Sequence, residues 1–160
     1  MATLPALVPA TSTLTSTGVF TDTQTVTICG KVYTSQTSLT NVDGHFLIGA
    51  DQTASHLNLL NAINGVADGV TVAAATTIHP LVRAVSSDGT HTVIQAKLKG
   101  TVGNEFRTTE TQTNASWTST VMGSGTGDFK EALDNLQDFV QLNSEALSHL
   151  SNMLNLATLD

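Results

Sequence analysis

The groups able to do chemistry in this chain are five histidines, one cysteine and thirteen carboxylates, spread over 160 residues. His45, His56, His79, His91 and His149 never stand four apart on one helix, and none is paired with a cysteine. The spacing of a zinc site is therefore missing. Serines, histidines and aspartates all occur, without the strained strand–Ser–helix elbow that exposes a hydrolase nucleophile. The run from Gly123 to Gly127 lacks the following Lys-Ser/Thr of a phosphate-binding loop, and Lys130 stands at the wrong offset for it. Asp43 and Asp51 flank a loop but do not make a calcium-loop pattern. Asn114-Ala-Ser116 has the form of a glycosylation sequon, which carries weight only behind a secretory signal. The remaining carboxylates are scattered, so the expectation is a non-enzymatic protein with no catalytic residue, no metal and no cofactor. Cys29 lies in an alternating strand pattern and is expected to be a buried thiol, with no partner for an internal disulfide.

The bulk numbers narrow the class further. Net charge is −7, and only six Lys or Arg residues are spread along the chain. No basic stripe exists to neutralise a phosphate backbone, which argues against nucleic-acid binding. Met1–Ala10 lacks the charged start and apolar core of a signal peptide. No run approaches the roughly 18 apolar residues of a membrane span. The expectation is a soluble protein made in the cytoplasm. Charged residues make up 12% and aromatics 4%, with Thr, Ser, Ala, Asn and Val filling the deficit. Thr and Val are stiff at χ1 and pack well on a pleated surface, so the composition suits hydroxyl-rich β-structure. So little charge also fits a surface largely covered by neighbours.

Four segments follow from the pattern. Residues 1–18, with Pro5, Pro9 and a Thr/Ser run, read as an extended arm, either disordered or ordered on a neighbouring subunit. Residues 19–122 read as one α+β domain, a small antiparallel β-unit with one packed amphipathic helix. Its strands are expected at Thr25–Gly30 and Val32–Thr34, joined by a turn at Gly30-Lys31, then at Gly69–Ala75, Leu81–Val85, Thr92–Leu98 and Phe106–Trp117. Its helix is expected over Asp51–Asn64, capped by Asp51 or Thr53 and ended by Gly65. Ala54, Leu57, Leu60 and Ile63, widened by Leu59 and Ala62, would form the apolar stripe, with Leu57, Leu60 and Ile63 packed on Val26, Ile28, Val93 and Ile94. Residues 123–127 read as a glycine hinge. Residues 128–160 read as one long helix without Pro or Gly, about 40 Å in length at roughly 1.5 Å per residue.

That last helix carries the most informative pattern. Leu133, Val140, Leu147 and Leu154 fall on one heptad position; Phe129, Leu136, Asn143, Leu150 and Ala157 fall on the complementary one. Ala132, Phe139, Ala146 and Met153 widen the stripe beyond a two-stranded seam. Folding back on the β-unit would cover this face, and so would other copies of the same helix. A buried Asn costs stability but fixes register and oligomer number when it meets its own copies, so Asn143 favours association. The breadth of the face suits a homotrimer held by Phe129, Leu133, Leu136, Val140, Asn143, Leu147, Leu150 and Leu154. Asp128, Glu131 and Asp134 stand at the positive end of the helix dipole.

The middle of the chain carries a set of ordered motifs: Val26-Thr-Ile-Cys-Gly-Lys-Val-Tyr33, Leu39-Thr-Asn-Val-Asp-Gly44, Leu47-Ile-Gly-Ala-Asp51, Leu59-Leu-Asn-Ala-Ile-Asn-Gly65, Gly100-Thr-Val-Gly-Asn104 and Thr108-Thr-Glu110. Together they resemble a small domain recurrent in the structural proteins of tailed bacteriophages, over roughly Gly18 to Trp117. Cys29 departs from the Gly expected between Ile28 and Gly30. The resemblance implies a virion component (head decoration, collar or tail-fibre module) that contacts other virion structural proteins, and it implies no catalytic residues. A receptor- or carbohydrate-binding module of a phage fibre is the alternative. It would show aromatics clustered on loops, whereas Tyr33, Trp117 and the phenylalanines fall mostly on expected strands or the helix stripe.

Overall fold

Period-two alternation sets the strands of the computed structural model, which describes residues 6–127 and the helix 129–157. In Pro9–Ser16 (β1), Ala10, Ser12, Leu14 and Ser16 point inward and are buried, while Thr11, Thr13 and Thr15 line the other face. The further strands are Thr25–Ile28 (β2), Lys31–Gln36 (β3), His45–Leu47 (β4), Val82–Ser87 (β5), His91–Lys99 (β6), Thr108–Glu110 (β7) and Ala115–Trp117 (β8). Helix α1 spans Gln52–Ile63 between β4 and β5, and α2 spans Phe129–Ala157. The fold is α+β, with two helices and two four-stranded sheets ordered β5-β6-β1-β8 and β4-β3-β2-β7. All ladders are antiparallel except β3–β4, which is parallel. One apolar cluster joins both sheets and α1, centred on Leu14, Ile28, Tyr33, Phe46, Leu59, Ile63 and Ile94.

Several expectations are corrected. The supposed arm over residues 1–18 contains β1, an inner strand paired with β6 on one edge and β8 on the other. Its small serines let a polar-looking run bury one face, which a count of large apolar residues does not reveal. Residues 69–75 form turns with a single bridge from Phe46 to Val72 instead of a strand. The Asp68 carboxylate accepts the backbone N–H groups of Val70, Thr71 and Val72 at 2.7–2.9 Å, curling this loop locally. The stretch expected as one strand from Phe106 to Trp117 divides into β7 and β8, which belong to different sheets. The β2–β3 turn is Cys29-Gly30, with φ of 48° and 83°. Two positive φ values make the type I′ geometry that matches strand twist, so Cys29 is a half-exposed turn residue and not a strand thiol.

The boundaries of α1 and its caps agree with expectation, but the helix is rotated. Asp51 accepts the Ala54 N–H at 2.8 Å as N-cap, and Gly65 takes φ 71° after the last turn. Leu59, Ala62 and Ile63 of the expected stripe are buried, but Ser55, His56 and Asn58 join them on the core face, while Leu57 is 48% exposed. Of the residues expected beneath the helix, Val26, Ile28 and Ile94 are buried, and Val93 lies on the outward face of β6. Polar partners explain the rotation. Ser55 Oγ donates to Asp51 O at 2.8 Å and accepts from Gly49 N at 3.0 Å. Asn58 donates to Leu47 O at 2.8 Å, and His56 bonds two strand hydroxyls. Satisfied in this way, polar side chains occupy the core face that apolar spacing alone assigns to Leu57. At the other end, Asn64 donates to Ala84 O and accepts from Ala84 N at 2.9 and 3.0 Å, tying the helix C-terminus to β5.

The rotation has a direct test in denaturant unfolding. Leu59→Ala should destabilise the fold by about 2–5 kcal/mol, as a buried leucine leaving a cavity does. Leu57→Ala should stay within about 1 kcal/mol of wild type, as exposed substitutions do. Comparable losses at both positions would contradict this packing.

Candidate functional site

Helix α2 begins where the two ends of the β-unit meet. Val8 and Thr126 exchange reciprocal backbone bonds at 2.9 and 3.1 Å, and Thr11 and Gly123 do the same at 2.7 and 2.9 Å. The segment expected as a free glycine hinge is therefore fastened along β1. Gly100 N donates to Val8 O at 3.0 Å, and Thr101 N to Gly127 O at 3.2 Å. Gly100 has φ 96°, and a Cβ there would stand 2.6 Å from Gly127 O, so the close crossing at the helix root requires glycine.

Beyond this root α2 runs for 29 residues, about 43 Å at the usual rise. Its described side chains are Asp134, those from 137 to 151, Met153 and Leu154, and all are exposed. Of the predicted association residues, Val140, Asn143, Leu147, Leu150 and Leu154 fall on one continuous outward face of these turns, with Leu147 67% and Leu154 68% exposed. The side chains of Phe129, Leu133, Leu136 and Ala157 lie outside the described set. Phe139 and Met153 flank the face on one side and Gln137, Ser144 and Ser151 on the other. Glu131, Asp138 and Glu145 share the heptad position opposite the apolar face, so no carboxylate stands at the positions flanking that face. Leu142, exposed and off the stripe, is an apolar position the heptad reading did not include. Asn143 Nδ2 donates to Phe139 O one turn back, at 2.8 Å.

The residue pairs that resemble catalytic machinery lie elsewhere and are internal. His56 is fully buried, with Nε2 2.6 Å from Ser16 Oγ and Nδ1 2.7 Å from Thr92 Oγ1. Gln52 Nε2 reaches the same Ser16 hydroxyl at 2.6 Å. A Ser–His contact at this distance has the reach of a nucleophile and its base. Here Ser16 is 3% exposed and the second imidazole nitrogen meets a hydroxyl in place of an orienting carboxylate. The cluster joins α1 to β1 and β6 as a structural hub. Spacing could not reveal it, because its members are separated by 40 and 36 residues. His79, also buried, accepts the Leu81 and Val82 N–H groups on Nδ1 at 3.1 Å and meets Ile28 O through Nε2 at 3.0 Å. Among the described residues no group of three or more His, Cys, Asp or Glu is placed to hold a metal ion. Likewise no helix among them is long and apolar enough to cross a membrane.

Burial pushes the His56 imidazole down to about 4, and burial also lowers His79. A histidine lowered from its ordinary pKa of about 6.5 binds fewer protons folded than unfolded in between. Stability should therefore be full above about pH 6.5 and fall as pH drops toward 4, by on the order of 3 kcal/mol for His56 alone. Urea midpoints between pH 7 and 4.5 measure the slope. His56→Gln should be less stable at pH 7 and show a flatter profile; an unchanged slope would remove His56 as its source. Comparison with protein-family models, curated proteins and solved structures gave no match for this chain.

Proposed function

We propose that this chain is a non-enzymatic building block of a tailed-bacteriophage particle, a head-decoration, collar or tail-fibre module. In this reading it assembles as a homotrimer through α2 and docks on neighbouring virion proteins. The observation that carries the self-association is the uncovered apolar face of α2. Phe139, Val140, Leu147, Leu150, Met153 and Leu154 are each exposed by more than half. Each gains on the order of 1.5–3 kcal/mol when buried. A second copy of the helix supplies the same face at the same pitch, and carboxylates kept on the far side spare the copies like-charge contact at the seam. Apolar residues at three heptad positions favour three strands over two. The phage context is supported by the ordered motifs between Val26 and Glu110. The alternative of a carbohydrate- or receptor-binding module receives less support, because Phe20, Tyr33, Phe46 and Trp117 are buried and leave the β-unit few rings to present.

Light scattering on the full chain tests the assembly. Wild type should have three times the 16.7 kDa chain mass. Replacing Leu136, Leu147 and Leu150 together with Asp puts charges into the seam and should give soluble monomers with unchanged β-unit circular dichroism. A variant that keeps the wild-type mass, or a monomeric wild type, would sink the trimer.

A further inference from the structure

We infer that the three Asn143 side chains of the assembled trimer form a binding site for one small, weakly hydrated anion, a halide such as chloride or bromide, on the bundle axis. The inference rests on the trimer proposed above and names a ligand for the polar layer inside it. Asn143 occupies a seam position, and in a parallel three-stranded bundle the seam residues face the axis. The neighbouring layers are Val140 on one side and Leu147 on the other, so the three carboxamides meet in apolar surroundings. Each carries two N–H donors and one oxygen acceptor. One donor is already committed, since Nδ2 bonds Phe139 O of its own helix at 2.8 Å. That bond also restrains rotation of the carboxamide. Three second N–H groups and three carboxamide oxygens remain, related by the threefold axis, and where the N–H groups all turn inward they need an acceptor other than one another. Left unpaired in the seam, each would cost about 1–3 kcal/mol. A single acceptor on the axis satisfies all three at once.

The chemistry of the layer selects the ligand. Seam and flanks within a turn of Asn143 offer no cation: Phe139, Val140, Ser144, Ala146 and Leu147 surround it in sequence, and Asp138 and Glu145 share the outermost heptad position. The chain is also acidic overall, at −7. An anion therefore enters on directed N–H bonds without help from a positive field. That favours ions that shed water easily over fluoride or sulfate, which hold their hydration shells. Two other arrangements compete for the layer: a water molecule on the axis, or a closed ring in which each N–H donates to the next carboxamide oxygen.

Crystals of the full chain grown in sodium bromide, with data collected at the bromine absorption edge, decide between them. The expected result is one anomalous peak on the threefold axis, within hydrogen-bond distance of three Asn143 nitrogens. In solution, the melting midpoint of the trimer should rise with bromide relative to fluoride at equal ionic strength. Asn143→Val should remain a trimer and lose that difference. A trimer with no anomalous peak in the layer, or a bromide shift that survives in Asn143→Val, overturns the anion site and leaves the trimer standing. A wild-type mass other than three chains overturns the trimer itself, so the two failures are separable.

Discussion

The pairing of β1 along both edges is the constraint on which the rest of the molecule depends. One edge is held by β6, and the other by β8 and then by the bridges at Thr11–Gly123 and Val8–Thr126. A strand near the start of the chain is thereby locked between segments about eighty and one hundred residues later. Ser16 at its end anchors His56 and Gln52, which set the rotation of α1. The last pairings place the root of α2. Such long-range closure costs chain entropy before any contact rewards it, so β1 should join late in folding and complete the core when it does.

Polar groups carry much of this interior, which is unusual for a core of modest size. Ser35 donates to Thr21 O at 2.6 Å and receives Gln112 Nε2 at 2.8 Å, stitching β3 to the loop after β7. Lys31 Nζ bonds Asp43 at 3.1 Å and Thr77 O at 2.6 Å, holding two loops to the β2–β3 hairpin. Among the described residues only Ser12 Oγ and Tyr33 OH are buried without a partner. Networks so nearly satisfied specify a single arrangement more sharply than apolar contacts of similar area.

Where the sequence was readable, the signal was local. Asp51 and Gly65 bound α1 because capping needs only neighbours, and the hairpin around Gly30 follows from adjacent residues. The extent of α2 was visible for the same reason. Reading failed where distant partners decide. The Thr/Ser run of β1 becomes a strand only because β6 and β8 complete its ladders. His56 and Asn58 turn inward only because Ser16, Thr92 and Leu47 O wait there, and the glycines at 123–127 lose their freedom only against Val8 and Thr11. The short motifs behind the proposed phage context fall across β2, β3, β4, α1, the turn at Thr101–Glu105 and β7.

The fastening of the α2 root also has a mechanical meaning. Any pull applied through the helix reaches the β-unit at Thr126 and Gly123, where four backbone bonds tie that segment to β1. When the load runs along the strand, those bonds are stretched together in shear and yield only in concert. When it runs across the strand, they open one after another from the Val8 end. The joint is thus stiff in one direction and peelable in another, so the angle of a pull on the helix determines how much force the β-unit withstands.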